Sequence, residues 1–235
     1  MTIKIGYTVD AQNHIAPALA HEPTFHPKRV ARLGLPKTNM CPAITDYDMS
    51  AFNVFVPYEL HFEVKKQNSG TIEIHINEKK TTLGPIFLND CFNTTFVSEG
   101  ILQINIQPFW IFISDEPNVT LMQISAYEQT NPEPIRGQFD CFQWFRPLSY
   151  AFEFNYGEEI QITRQSPIYQ VKFFHPAESK FSLSECVLTP QIEEHVKGSL
   201  LQNFNHLTKW KKVFDFAGKR RPKSVLRFKE NAWEI

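Results

Sequence analysis

The chain has 235 residues, enough for one large core or a core with an appendage, and all-β folds of this length are routinely single domains. Its 24 Lys and Arg against 25 Asp and Glu leave a formal charge of -1, which excludes a global field drawing in nucleic acid or a membrane surface. Phe is abundant at 21 residues and Gly sparse at 9, a balance that favours packed strands over a Gly-rich barrel or a disordered chain.

The opening MTIKIGYTVD alternates as a short strand and carries neither the basic nor the apolar region of a secretory leader. No later apolar run reaches bilayer length, so a soluble protein made in a cytoplasm, without a membrane partner, is expected. Cys41, Cys91, Cys141 and Cys186 stand far apart, which in a reducing compartment makes them small buried hydrophobes. The glycosylation sequons at Asn93 and Asn118 carry no weight without secretion.

Residues 1–50 read as that strand followed by an arm. HIAPALAHEPTFHPKRVARLGLPKTNMCPAI has prolines throughout, so it runs extended over a surface, covering a sheet edge or reaching a neighbouring subunit. Residues 51–176 form the expected core. FNVFVPYELHFEVKK changes sides every second residue, and TIEIHINEKK sets Ile72, Ile74 and Ile76 against Glu73, His75 and Asn77, with QNSG as the hairpin turn between them. ILQINIQPFWIFIS and VTLMQISAYEQ follow, separated by DEPN, and then come DCFQWFRPLSYAFEF, EIQITR and PIYQVKFFHP. About nine strands with closely spaced turns and no helical period predict a mainly β fold, an antiparallel β-sandwich or jelly roll, with a cupin-like form as a variant.

Residues 177–235 change character. Thr189 caps a predicted helix that begins at Pro190 and carries Glu193 and Glu194 in its first turn. Ile192, Val196, Leu200, Phe204, Leu207, Trp210 and Phe214 recur at helical spacing, an amphipathic helix of about six turns weakened by Gly198. A basic, extended tail follows, with nine Lys or Arg and one Asp between 209 and 229.

Three clusters of residues invite chemistry. A metal-dependent sandwich enzyme needs two histidines and a carboxylate converging inside; His61, Glu63 and His175 are the least implausible set, although a solvated sheet face explains His61 and Glu63 without any metal. No nucleophile elbow, phosphate-cradling loop or cysteine–histidine pair appears, and no cofactor is expected. The tail residues Lys219, Arg220, Arg221, Lys223, Arg227, Phe228 and Trp233 suit docking on an acidic protein surface, with mere solvation of a helix end and phosphate-backbone binding as the alternatives. In DCFQWFRPLSYAFEF, alternation places Phe142, Trp144 and Arg146 on one strand face, and Tyr150, Phe152, Phe154 and Tyr156 on one core face. Trp144 and Arg146, a ring beside a planar cation, form a candidate recognition patch, grouped with Asn118 of the Pro117-Asn118 turn, although structural packing is the favoured reading of Trp144.

Over residues 41–175 the order CPAITDYDMSAFNVFVPYELHFEV, FWIFISDEPN, FDCFQWFRPLSYAFEF and YGEEIQITRQSPIYQVKFF resembles a domain-of-unknown-function family of bacteria and tailed phages, cyanobacterial phages included. The matching elements are the Cys-Pro segment, the Pro117-Asn118 turn, Asp140 with Trp144, and the Gly157-Glu158 turn; the spacing of Asp140 and Trp144 departs from that family's Asp-Trp pair. The resemblance implies a compact β domain and a phage source, and brings no catalytic residues. Together these readings predict a non-enzymatic interaction or assembly protein whose partners are protein subunits.

Overall fold

Strands form wherever apolar residues recur at every second position, because successive side chains of a pleated backbone point to opposite faces. The computed structural model describes residues 2–9, 27–30, 50–56, 58–68, 72–82, 92–98, 101–106, 110–126, 132–148, 150–155, 157–164, 166–177, 180–202, 221 and 224–229. In chain order these give β1 (Ile3–Val9), β2 (Lys28–Arg29), β3 (Ala51–Val54), β4 (Leu60–Lys66), β5 (Ile72–Ile76), β6 (Phe92–Ser98) and β7 (Ile101–Ile106). There follow β8 (Trp110–Ser114), β9 (Thr120–Ile124), β10 (Gly137–Asp140), β11 (Tyr150–Asn155), β12 (Glu159–Ile162), β13 (Tyr169–Phe174) and β14 (Phe181–Glu185), and one helix, α1 (Pro190–Gln202).

The protein is mainly β and sandwich-like, with no barrel closure. Three sheets are antiparallel, in the orders β10-β9-β13-β3-β2, β11-β7-β6 and β12-β4-β5. The fourth, β14-β1-β8, is mixed: β1 pairs antiparallel with β8 and parallel with β14. The core lies between inward faces. Phe173 of β13 packs 5.8 Å from Phe52 of β3, 6.0 Å from Phe112 of β8 and 5.9 Å from Phe181 of β14, so one ring ties the five-stranded sheet to the mixed one. Phe62 of β4 and Phe152 of β11 meet at 6.5 Å and join the two remaining sheets to the same cluster. Burial of each such ring contributes about 2–3 kcal/mol.

Alternation predicted at sequence level is realised in β4, where Leu60, Phe62 and Val64 face the core, and in β12, where Ile160 and Ile162 do. In β8 all five residues are buried because both faces are covered. Trp110 and Phe112 enter the main core, while Ile111 and Ile113 face a second one made by Phe145, Ile192 and Val196 of α1, and Val225. The expected cap of α1 is present: Ile192 N–H donates to Thr189 Oγ1 at 3.3 Å and Glu193 N–H to the Thr189 carbonyl at 3.0 Å. The expected continuation of the helix through Phe204, Leu207, Trp210 and Phe214 lies outside the described residues.

Most of the arm is also outside them, but residues 27–30 pair with β3 through Lys28↔Asn53 and Arg29↔Phe52, so this part covers a sheet edge of its own chain. The division at 50 and 176 separates segments that hydrogen-bond to one another, since β1 and β14 form one sheet with β8. Sequence reasoning passed over β2, β6, β10 and β14.

Candidate functional site

The strand expected to continue through Phe142, Trp144 and Arg146 stops at Asp140. Its Oδ1 accepts the N–H groups of Phe142 (2.8 Å) and Gln143 (3.1 Å), and its carbonyl accepts that of Trp144 (2.9 Å). A short polar side chain that binds the backbone just beyond it favours a turn over a ladder. The shared strand face is therefore replaced by a turn that sends Trp144 and Phe145 inward, 5% and 0% exposed, and leaves Arg146 half-buried. The guanidinium of Arg146 sits 5.1 Å from the Trp144 ring, so the two patch residues do come together, but only the cation reaches a surface. Burial holds the Arg146 pKa below its ordinary value.

Arg146 lines a cleft of ≈ 250 Å³ shared with Gln123 of β9, Gly137 and Phe139 of β10, Pro147, Leu148 and Ala151 of β11; Ile135 and Arg136 complete it. The cleft lies where two sheet ends meet. β10 is the end strand of the five-stranded sheet and β11 that of another, and residues 132–136 cross between them, with Ile135 N–H donating to the Ala151 carbonyl at 2.6 Å. A Cβ on Gly137 would stand 2.8 Å from the Phe139 ring, so glycine lets that ring fold back over the strand. At the rim Arg136 pairs with Glu133 at 3.3 Å, and Ser125 Oγ donates to the same carboxylate at 2.8 Å. These hydrogen bonds, Ser125 first, hold the Glu133 pKa below the usual carboxylate range.

Asn118 is exposed and does not line the cleft. Its φ of 63° shows its role, a left-handed residue after Pro117 that turns β8 into β9.

The tail docks on an acid, and the acid belongs to the same chain. Arg221, 9% exposed, donates from Nη2 to Asp115 Oδ1 at 2.8 Å and to the Ser114 carbonyl, with its guanidinium 3.9 Å over the Phe142 ring. Asp115 also accepts Ser224 Oγ–H (3.1 Å) and the N–H groups of Val225 and Leu226 (both 3.0 Å). Burial alone would raise the Asp115 pKa; the two backbone donors, then Arg221 and Ser224, bring it net below its ordinary value. Beyond this clamp Val187 N–H donates to the Arg227 carbonyl (2.7 Å), Lys229 N–H to the Glu185 carbonyl (3.1 Å), and Phe228 bridges to Cys186, while the Arg227 side chain is exposed. Arg221 and Phe228 thus serve an intramolecular strap. Lys219, Arg220, Lys223 and Trp233 lie outside the described residues, as do Cys41 and Cys91. Sequence reasoning read DEPN as a turn and missed Asp115, whose partners stand more than a hundred residues downstream.

His61, Glu63 and His175 do not converge. His61 is 3% exposed rather than solvated, with Nε2 3.5 Å from Glu159; Glu63 pairs with Lys65 at 3.0 Å; His175 Nδ1 accepts the Ala177 N–H at 3.2 Å. Among the described residues no three His, Cys, Asp or Glu side chains are grouped to hold a metal ion, and no helix is long and apolar enough to cross a membrane. The cleft offers two guanidinium groups, an amide and apolar walls.

Compared with known proteins, the chain matches no family model, no curated protein and no solved structure.

Proposed function

We propose that this is a non-catalytic β-sandwich that acts by holding a protein partner, with the Arg146 cleft as the point of contact. One observation carries the reading: apolar walls, a guanidinium fixed against an indole, and the end strand of a sheet stand together in one cleft. Apolar surface beside an immobilised arginine is the composition of a protein contact. The partner is a second copy of the chain or another subunit of an assembly in a cytoplasm or a virion. The order of landmarks along the sequence suggests a tailed-phage setting. The two competing readings have lost residues. A metal-dependent cupin-like site would need His61, Glu63 and His175 together, and each is engaged separately. A basic tail gripping phosphates would have to do so without Arg221, which is buried against Asp115.

The test immobilises the full chain, challenges it with a random-peptide library, and rescreens the binders on Ala151→Trp, whose indole fills the cleft. Binders lost on the variant support the reading. A chain that retains no peptide, and whose light-scattering mass stays that of a 27.4 kDa monomer at every concentration, defeats it.

A further inference from the structure

We infer that the cleft takes an extended, acidic segment of the partner: a strand laid along β10, with an Asp or Glu side chain between apolar neighbours reaching Arg146. This rests on the cleft being a partner-binding site and adds what the partner must look like.

Size comes first. Pockets that enclose free small molecules run from about 300 to 1,000 Å³, and this cleft of ≈ 250 Å³ falls below them. It has room for protruding side chains rather than a whole ligand. The backbone gives direction: among the described residues β10 pairs on one side only, with β9 through Gly137↔Gln123 to Asp140↔Thr120. An end strand beside a side-chain cleft is the arrangement to which extended peptides add by backbone pairing.

Charge then selects the side chain. Among the described residues, two guanidinium groups and no carboxylate line the cleft. Arg136 is at the rim with Glu133, and Arg146 lies deeper, half-buried and 5.1 Å over the Trp144 ring. A planar, oriented guanidinium matches the two oxygens of a carboxylate better than a point charge does. The walls decide between acidic peptide and nucleic acid. Phe139, Pro147, Leu148 and Ile135, which is 38% exposed, favour apolar side chains on either side of the acid. A phosphate backbone would ask for a row of cations along its path.

The experiment measures fluorescence anisotropy of the full chain with a library of short extended peptides. Their central residue is Glu, Gln or phosphoserine and their flanks vary. The proposal expects Glu peptides with apolar flanks to bind, and replacement of Glu by Gln to weaken them about ten- to a hundred-fold. Arg146→Gln, which retains much of the stem over Trp144, should erase that preference, and N-methylation of alternate peptide residues should weaken binding by blocking backbone pairing. Matched thermal unfolding of Arg146→Gln and wild type verifies that the variant is folded. If Ala151→Trp abolishes binding but Glu and Gln peptides are equivalent, the inference fails and the cleft remains a partner site. Preference for phosphoserine, or Arg146-dependent binding of a single-stranded oligonucleotide in place of peptides, also overturns the inference. Failure of every peptide overturns it, and a monomeric mass at every concentration besides overturns the reading beneath it as well.

Discussion

Tyr150 and Tyr169 occupy the same core with rings 6.2 Å apart, yet their hydroxyls differ in partnership. Tyr150 donates to the Pro132 carbonyl, whereas the Tyr169 hydroxyl, fully buried, has no hydrogen-bond partner among the described residues. Making a hydrogen bond on folding nets about 0.5–1.5 kcal/mol, while burying an unsatisfied polar group costs about 1–3 kcal/mol. Phenylalanine substitution should therefore act with opposite sign at the two positions. Tyr150→Phe should lose about 1 kcal/mol in urea unfolding, and Tyr169→Phe should be neutral or gain up to about 1 kcal/mol. Equal losses at both would mean that Tyr169 has a partner in the folded state. At this scale the sequence reveals which side of a strand a residue occupies but not what covers that side. Alternation placed His61 opposite Phe62, and it is opposite, but His61 is buried where solvation was expected. Asp140 shows the other limit: its carboxylate ends a strand that apolar spacing alone would have continued through Trp144.

Between residues and fold stands the strap of residues 224–229. It lies on the outer side of β1, where a Cβ on Gly6 would stand 2.3 Å from Leu226 Cδ2 and 3.0 Å from Cys186 Sγ. Asp115 clamps its near end, and the sign of its pH dependence follows from the depressed pKa. The clamp contributes fully above the ordinary value of 3.8 and is lost as pH falls through the lower value of the folded state. Asp115→Asn keeps the shape but removes the charge and half of the acceptor capacity, at a cost of about 1.5–3 kcal/mol for the charged hydrogen bonds. Cys186 provides the readout. Its thiol is fully buried and pushed up to about 12, first by burial and then by Glu185, so a thiol reagent reaches it only when the strap opens. The expected result is Cys186 alkylation about ten-fold or more faster in Asp115→Asn at neutral pH, with Cys141, in the main core, unchanged. In the wild type, acid below the ordinary aspartate range should expose the same strap to hydrogen exchange. Equal labelling of both cysteines would point to global unfolding instead. The strap was legible only as an extended basic run. Sequence reasoning pointed the tail at the acidic surface of another protein and did not foresee the intramolecular clamp, because periodicity is local and Asp115 and Val225 are 110 positions apart.

Across the whole molecule, the first described strand is held by the last described one. β1 pairs in parallel with β14 from Ile3↔Phe181 to Tyr7↔Glu185, and no short turn can make such a pair. Two-fold alternation in 52–76 and 101–124 made the sandwich readable, because hairpin neighbours in sequence are neighbours in space. Nothing local announces that residues 3 and 181 meet, so a boundary at 176 looked natural. The covered outer face of β8 argues against treating the C-terminal segment as a dispensable appendage. Ile111 and Ile113 face Ile192, Val196 and Val225, each worth about 1.5–3 kcal/mol when fully buried, against a total stability of about 5–15 kcal/mol for a typical domain. A chain ending at Thr189 retains every described strand but loses α1 and the strap. It should bind an apolar reporter dye, self-associate, and melt well below the full chain, with loss of the near-ultraviolet signal from Trp110 and Trp144. A truncated chain that stays monomeric, dark to the dye and equally stable would show that the second core is an ornament on the sandwich. The expected outcome instead makes α1 and the strap a further layer over β8, the strand buried on both sides.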